Sequence, residues 1–397
     1  MFANQAEVHM KYYYKVFIGI LFFLLTQVAF VKAQKALSLR AAIAAEEGAL
    51  QRQDKQQRAE AEKEWKQGYV EAGPYKMKFD YKVYGLKPHD GRSLYISMHG
   101  GGGVPEAEND QQWKNQIKLY APAEGVYFVP RSPTNSWNQW HQSHVDSLFA
   151  KVIRNAVIME GVNPDKVYLL GYSAGGDGTY QIATRMADHF AAASAMAGHP
   201  GDARPENLYN LPFTIFMGGK DEAYNRNGLA EVWRRQLDSL RKDNPGGYIH
   251  KVTVYDDLGH WMKRKDTVAL PWLAAYQRNA LPKKVVWIQD DVDDKDFYWL
   301  AVPAGESKTG ARAVVSIRNN VINIEENDHP NLIIMLNDRL INLNQKVLIK
   351  YQGKAIAKER IGRSKKIIEE TAQRLDPSLI FSAGIYIENN VFKGQLK

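Results

Sequence analysis

The chain has 397 residues, enough for two or three domains, and its 45% hydrophobic and 11% aromatic content can fill large cores. It has no cysteine, which excludes disulfides, a cysteine nucleophile and a lipid-modified N-terminal cysteine, and says nothing of the redox compartment. The net charge is +8, but acids and bases are interspersed and basic runs such as Lys263-Arg264-Lys265 are short, so the charge reads as solvated surface and not as a nucleic-acid interface.

Residues 10–34 have the pattern of a secretory signal. Lys11 and Lys15 form a basic start, residues 16–31 are apolar apart from Thr26 and Gln27, and Val31-Lys32-Ala33 fits a small-x-small cleavage site before Gln34. As a helix the apolar run rises about 24 Å, short of a hydrocarbon core of about 30 Å. A cleaved signal over residues 1–33 is expected, not a permanent membrane span, with Met1 or Met10 as the initiator. Residues 36–68 are rich in Ala, Glu, Gln, Arg and Lys and have no proline, which predicts a helix. Its apolar residues are mostly alanines, so a solvent-exposed connecting helix over the 34–70 linker is expected.

Residues 76–84 alternate as a strand, and residues 94–98 form a second strand that runs into His99-Gly100-Gly101-Gly102-Gly103. A polyglycine loop after a buried strand is costly in chain entropy and needs a reason. Close approach of its backbone to a reacting oxygen supplies one: N–H groups of Gly101 and Gly102, with that of Ala174, are candidates for an oxyanion hole. A phosphate loop is disfavoured, because Gly-Val-Pro-Glu follows where Lys-Ser/Thr would be needed. Residues 126–129 are the next strand, and the loop after it carries Trp137, Trp140, His141 and His144. Trp137 and Trp140 are candidates either for lining a substrate pocket or for anchoring the loop. From His144 a helical period of apolar residues returns the chain to the next strand.

That strand, residues 167–170, ends at Gly171-Tyr172-Ser173-Ala174-Gly175, with a helix expected over 178–190. Strand, sharp turn and helix with serine at the apex make the nucleophile-elbow pattern. Residues 191–198 form a small-residue strand, followed by His199, which is read either as a site residue or as a loop histidine. A strand at 212–217 leads to Asp221, and one at 251–255 leads through Asp256-Asp257 to His260. A carboxylate past a strand end can hold an imidazole in one tautomer, and the imidazole can take and return the proton of a serine. Ser173, Asp221 and His260 are therefore the candidate catalytic residues, with Asp256 or Asp257 as fallback acid. The intervals between them leave no room for a large lid.

These motifs, over about residues 75–280, resemble secreted α/β-hydrolase esterases of the polyhydroxybutyrate depolymerase and feruloyl or acetylxylan esterase kind, and more weakly the catalytic domain of prolyl oligopeptidases. The resemblance implies an α/β-hydrolase fold over 71–282, a mostly parallel sheet flanked by helices. It also implies hydrolysis of carboxylic esters, small or polymer-linked, without a cofactor. A serine peptidase and a non-catalytic carbohydrate- or envelope-binding protein on the same scaffold are the rival expectations. The chain lacks the cysteines common in secreted esterases, and its last third falls outside the match.

Residues 283–397 change texture. Short strands are expected at 285–288, 297–300, 313–317, 321–324, 332–336 and 346–351, a hairpin turn at Gln352-Gly353, a helix at 364–375 and a last strand at 380–387. This predicts a small β-rich domain, an antiparallel sheet or sandwich. Trp287, Tyr298 and Trp299 are read either as a carbohydrate-stacking platform or as core. No internal repeat and no signal for an oligomeric state is found.

Overall fold

The computed structural model describes residues 36–396. The expected signal segment and cleavage site lie outside the described residues. Among the described residues no helix is long and apolar enough to cross a membrane.

The strands of the first part are β1 (Tyr69–Ala72), β2 (Tyr75–Tyr84), β3 (Arg92–Met98), β4 (Gly125–Pro130), β5 (Val162–Tyr172), β6 (Ala192–Met196), β7 (Phe213–Gly218) and β8 (His250–Tyr255). They form one sheet in the order β1-β2-β4-β3-β5-β6-β7-β8. β1 and β2 pair antiparallel, β2 lies antiparallel to β4, and every pair from β4 to β8 is parallel. The residues of β4, β6 and β7 are buried throughout, as strands covered on both faces must be. The Ser143–Glu160 helix covers one face with Val145, Leu148, Phe149, Val152 and Ala156. Strand order and pairing are those of the expected α/β-hydrolase fold.

The topology also dictates where a site can form. After β4 the chain crosses back over β3 to make β5 on its other side. The loops after β3 and β5 therefore diverge and leave a crevice at the carboxyl edge, where open α/β sheets bind ligands.

Three α-helices carry no counterpart in the sequence reading, the short Ala269–Ala274 and two longer ones. Glu106–Gln116 is nearly all polar and buries Asn109 and Gln116, so it has no apolar period to see. Arg226–Asp243 buries Ala230, Trp233 and Leu237 on one stripe.

The last third folds as two five-stranded sheets, β16-β15-β13-β12-β9 and β10-β11-β14-β17-β18. Their strands are β9 (Lys284–Ile288), β10 (Asp296–Phe297), β11 (Leu300–Ala301), β12 (Arg312–Arg318), β13 (Val321–Asn327), β14 (Asn331–Leu336), β15 (Lys346–Tyr351), β16 (Lys354–Arg360), β17 (Ala383–Glu388) and β18 (Val391–Gln395). The expected turn at Gln352-Gly353 joins β15 to β16 with φ of 47° and 77°, the signs that suit the twist of a two-residue hairpin. β13 and β15 pair parallel, so the first sheet is mixed and not the purely antiparallel sheet of one alternative. The strand expected at 297–300 is instead a tight hairpin between β10 and β11, with Tyr298 at φ 57°. Trp287, Tyr298 and Trp299 are buried, which settles them as core and not as a platform. Tyr298 donates to the Ala187 carbonyl (3.1 Å) and Trp299 to the Pro282 carbonyl (2.8 Å), so this core reaches into the first part.

The helix expected near residues 36–68 spans Leu39–Gln67, capped by the Ser38 hydroxyl and by Gly68 in the left-handed conformation. It does not lie free. Ala42 and Ala49 pack on Ile368, Ala372 and Ile380, and Ala61 packs on Ile158 and Leu375. Trp65 sits against Phe79, Tyr81 and Phe128 with centroids 5.0–5.9 Å apart. Small side chains let the helix lie close to its neighbours, so Ala42, Ala49 and Ala61 mark contact and not exposure. Its buried Glu64 pairs with Lys151 (2.7 Å) and accepts from Asn155 (2.7 Å).

Candidate active site

Ser173 follows β5 directly and precedes the Ala174–Arg185 helix. Its backbone is at φ 58°, ψ −122°, a region that costs a non-glycine residue about 1–3 kcal/mol. The flanking glycines make room for this turn: a Cβ at Gly171 would collide with the Gly175 carbonyl, and one at Gly175 with that of Met98. The turn is held by the Ser173 N–H donating to Met196 O at 2.9 Å.

The structure brings Ser173, His260 and Asp221 together. His260 Nε2 lies 2.9 Å from Ser173 Oγ, and its Nδ1 lies 2.7 Å from Asp221 Oδ2. Asp221 is 3% exposed, whereas Asp256 and Asp257, the fallback acids, are exposed. Asp221 sits in a turn fixed by its N–H on Gly218 O and by Asn227 N–H on its own carbonyl. The His260 loop is tied back to the elbow by Tyr172, whose hydroxyl donates to His260 O (2.5 Å) and accepts from Met262 N–H (3.0 Å). Deeper in that loop Tyr120 donates to Asp266, both buried.

The glycine loop divides in two. Gly102 N–H donates to Asn109 Oδ1 (2.8 Å) and Gly103 N–H to Asn135 O (2.8 Å). Gly102 is therefore not the free donor expected from the sequence, because Asn109, from the unforeseen polar helix, uses its amide hydrogen to shape the loop. Gly101 and Ala174 have no backbone N–H partner among the described residues, and Gly101 lines the same cleft as Ser173.

His99 is fully buried between two backbone groups. Its Nε2 accepts the Ser132 N–H at 3.1 Å, so the proton sits on Nδ1, which donates to Gly100 O at 2.6 Å. Burial pushes its pKa down to about 3, so the ring is a neutral strut under the glycine loop. Trp140 does not line a pocket: it is buried and its indole N–H donates to His99 O (2.9 Å). Trp137 is 71% exposed and lies beside Gly103, edge-on to His141, outside the cleft lining. His199 also falls outside that lining; its N–H donates to Asp177 Oδ1 (2.6 Å) and its Nδ1 accepts from Gly201 N–H. His144 stacks on Tyr75 at 3.6 Å and bears no relation to the cleft.

The cleft holds about 380 Å³ beside Ser173, walled by Gln112, Asn115, Leu119, Tyr172 and Trp261. No Asp, Glu, Lys or Arg side chain is among its lining residues. Sequence reading missed Gln112 and Trp261. The one signal for Trp261 is its place directly after His260; for Gln112 there is none, since its helix was not foreseen. Among the described residues no group of three or more His, Asp or Glu side chains is placed to hold a metal ion.

No protein-family model matches the chain, and no curated protein does either. Among solved structures it is similar to a thermostable esterase (18% identity, TM-score 0.40, covering 53% of this chain and 64% of that one). It is also similar to a feruloyl esterase module from Clostridium thermocellum complexed with sinapinate (14%, 0.38, 52% and 86%) and to a poly(3-hydroxybutyrate) depolymerase from Bordetella parapertussis (17%, 0.37, 52% and 86%). By its own strand order and by the turn that carries Ser173, the chain has the α/β-hydrolase fold, followed by two β-rich sheets.

Proposed function

We propose that the protein is a serine hydrolase of carboxylic esters, with Ser173 as nucleophile, His260 as general base and acid, and Asp221 as the group that orients His260. The observation that carries this reading is the continuous contact Ser173 Oγ–His260 Nε2 (2.9 Å) and His260 Nδ1–Asp221 Oδ2 (2.7 Å) at the crevice of the sheet. Ser173 Oγ attacks the acyl carbon while its proton passes to His260 Nε2. The carbonyl electrons move onto oxygen, which the N–H groups of Gly101 and Ala174 stabilise. Collapse returns the electrons, breaks the ester C–O bond and sends the proton from His260 to the departing alcohol. Water then loses a proton to His260 as it attacks the acyl-serine, and release of the acid restores Ser173.

His260, with its side chain 43% exposed, and Trp261, 52% exposed, support an open site suited to bulky or polymer-attached esters, carbohydrate-linked ones among them. The uncharged cleft favours a neutral group beside the scissile bond. The peptidase reading needs a subsite for a charged amine, and no carboxylate is among the lining residues. The signal-like residues 10–34 support a secreted or periplasmic protein released after Ala33. The test uses the mature protein with matched ester and anilide substrates and a panel that varies acyl length and sugar attachment. Ester turnover and fluorophosphonate labelling are expected, and Ser173→Ala is expected to remove both, with kcat down on the order of a million-fold. Folded protein that neither labels nor turns over any ester would sink the reading.

A further inference from the structure

A guanidinium reaches Asp221 from the side away from His260. Asp221 spends Oδ2 on His260, and Arg226 Nη1 stands 3.8 Å from its Oδ1. Arg226 opens the Arg226–Asp243 helix behind Tyr224 and Asn225, which are both left-handed, at φ 57° and 58°. Two successive non-glycine residues at positive φ are a costly way to enter a helix. The turn they make lays the Tyr224 ring against the guanidinium, 4.9 Å from ring centroid to Cζ, so that an exposed tyrosine covers a side chain only 11% exposed. Arg226 Nε is buried without a hydrogen-bond partner. Its Nη1 donates to Ala223 O at 3.5 Å, so the turn itself holds the guanidinium beside Asp221.

Its field spans the loops around Ser173. Burial and then the Arg226 charge lower the pKa of His199. Burial pushes Asp177 up to about 6 against the His199 N–H, Arg226 and His260. Asp177 and Asp221 are thus the carboxylates that share Arg226 and His260. The other groups against His260 are the Ser173 hydroxyl and the Tyr172 ring, 5.9 Å away; on its own loop Asp256, Asp257, Lys263 and Arg264 are exposed.

We propose that Arg226 is a positioning residue for the hydrolysis: it braces the second oxygen of Asp221, fixing the carboxylate that aligns His260. This rests on the reading of Ser173, His260 and Asp221 as a triad. The bracing acts through Asp221: Oδ2 is held by His260 and Oδ1 faces the guanidinium, so the carboxylate has a fixed partner on each oxygen.

The experiment is steady-state kinetics with a small neutral ester and with an ester bearing a carboxylate. Arg226→Gln is expected to lower kcat about tenfold with little change in KM for either ester. Arg226→Lys is expected to recover part of kcat. If Arg226→Gln does not fold, Tyr224→Ala, which lets water reach the guanidinium, is expected to give a smaller loss of kcat. An unchanged kcat in these variants overturns the proposal. So does an unchanged kcat with a raised KM for the ester bearing a carboxylate, which would make Arg226 an anion receptor. Wild-type protein without ester turnover overturns the triad reading and this proposal together; an active wild type whose kcat ignores Arg226 overturns this proposal alone.

Discussion

The burial of His99 makes a quantitative prediction about stability and pH. The ring is neutral when folded, with its pKa near 3, whereas an unfolded histidine titrates near 6.5. Between these values the unfolded chain binds a proton that the folded chain refuses. Stability from this residue is therefore complete above about pH 6.5 and falls with acid at about 1.4 kcal/mol per pH unit. Asp177, pushed up to about 6, works in the opposite sense, since its folded form holds a proton that the unfolded form releases. The total curve mixes both, so the informative quantity is a difference between variants. His99→Gln removes the titration together with the bonds to Gly100 O and Ser132 N–H, and the lost bonds cost about 1–3 kcal/mol at pH 7.5. By pH 4.5 that deficit is expected to shrink by about 2–3 kcal/mol and to approach zero or change sign. Urea titrations of both proteins from pH 7.5 to 4.5 measure it. A deficit constant to within about 0.5 kcal/mol would show that His99 titrates normally or that its site hydrates in acid, and the account of a dry, neutral strut would be wrong.

Other expectations follow from the same geometry. Asn109→Ala frees Gly102 N–H and removes donors to Val104 O and Asn135 Oδ1; steady-state kinetics should show kcat reduced tenfold or more with KM little changed. Trp261→Ala removes a wall of the cleft, and KM for bulky aryl or sugar esters should rise about tenfold while a short acetyl ester is barely affected. Trp65→Ala empties a buried site between three aromatic rings, and denaturant unfolding should show a loss of about 3–5 kcal/mol with no direct effect on the cleft.

Seven of the eight strands of the first sheet, all but β1, and the meeting of Ser173, Asp221 and His260 were legible because their signals are local. Each strand is a short apolar run, and each of the three residues comes shortly after one. What was hidden is decided by partners distant in sequence. Gly102 looked like a free donor until a helix without apolar period placed Asn109 against it. Trp140 sat in a loop and looked available, yet its indole had a buried carbonyl to meet at His99. The parallel pairing of β13 with β15 is set by the route of the chain between them and not by the composition of either strand. Arg226 was invisible because nothing near it in sequence reports two left-handed residues that aim its side chain at Asp221.

The Leu39–Gln67 helix has a consequence for assembly. Its alanine face is seated on Ile368, Ala372 and Ile380, and Leu37 N–H bonds Arg363 O (3.0 Å). The first helix among the described residues thus waits for one of the last elements to be made before it finds its seat. A nascent chain of this design completes that contact only when synthesis is almost over.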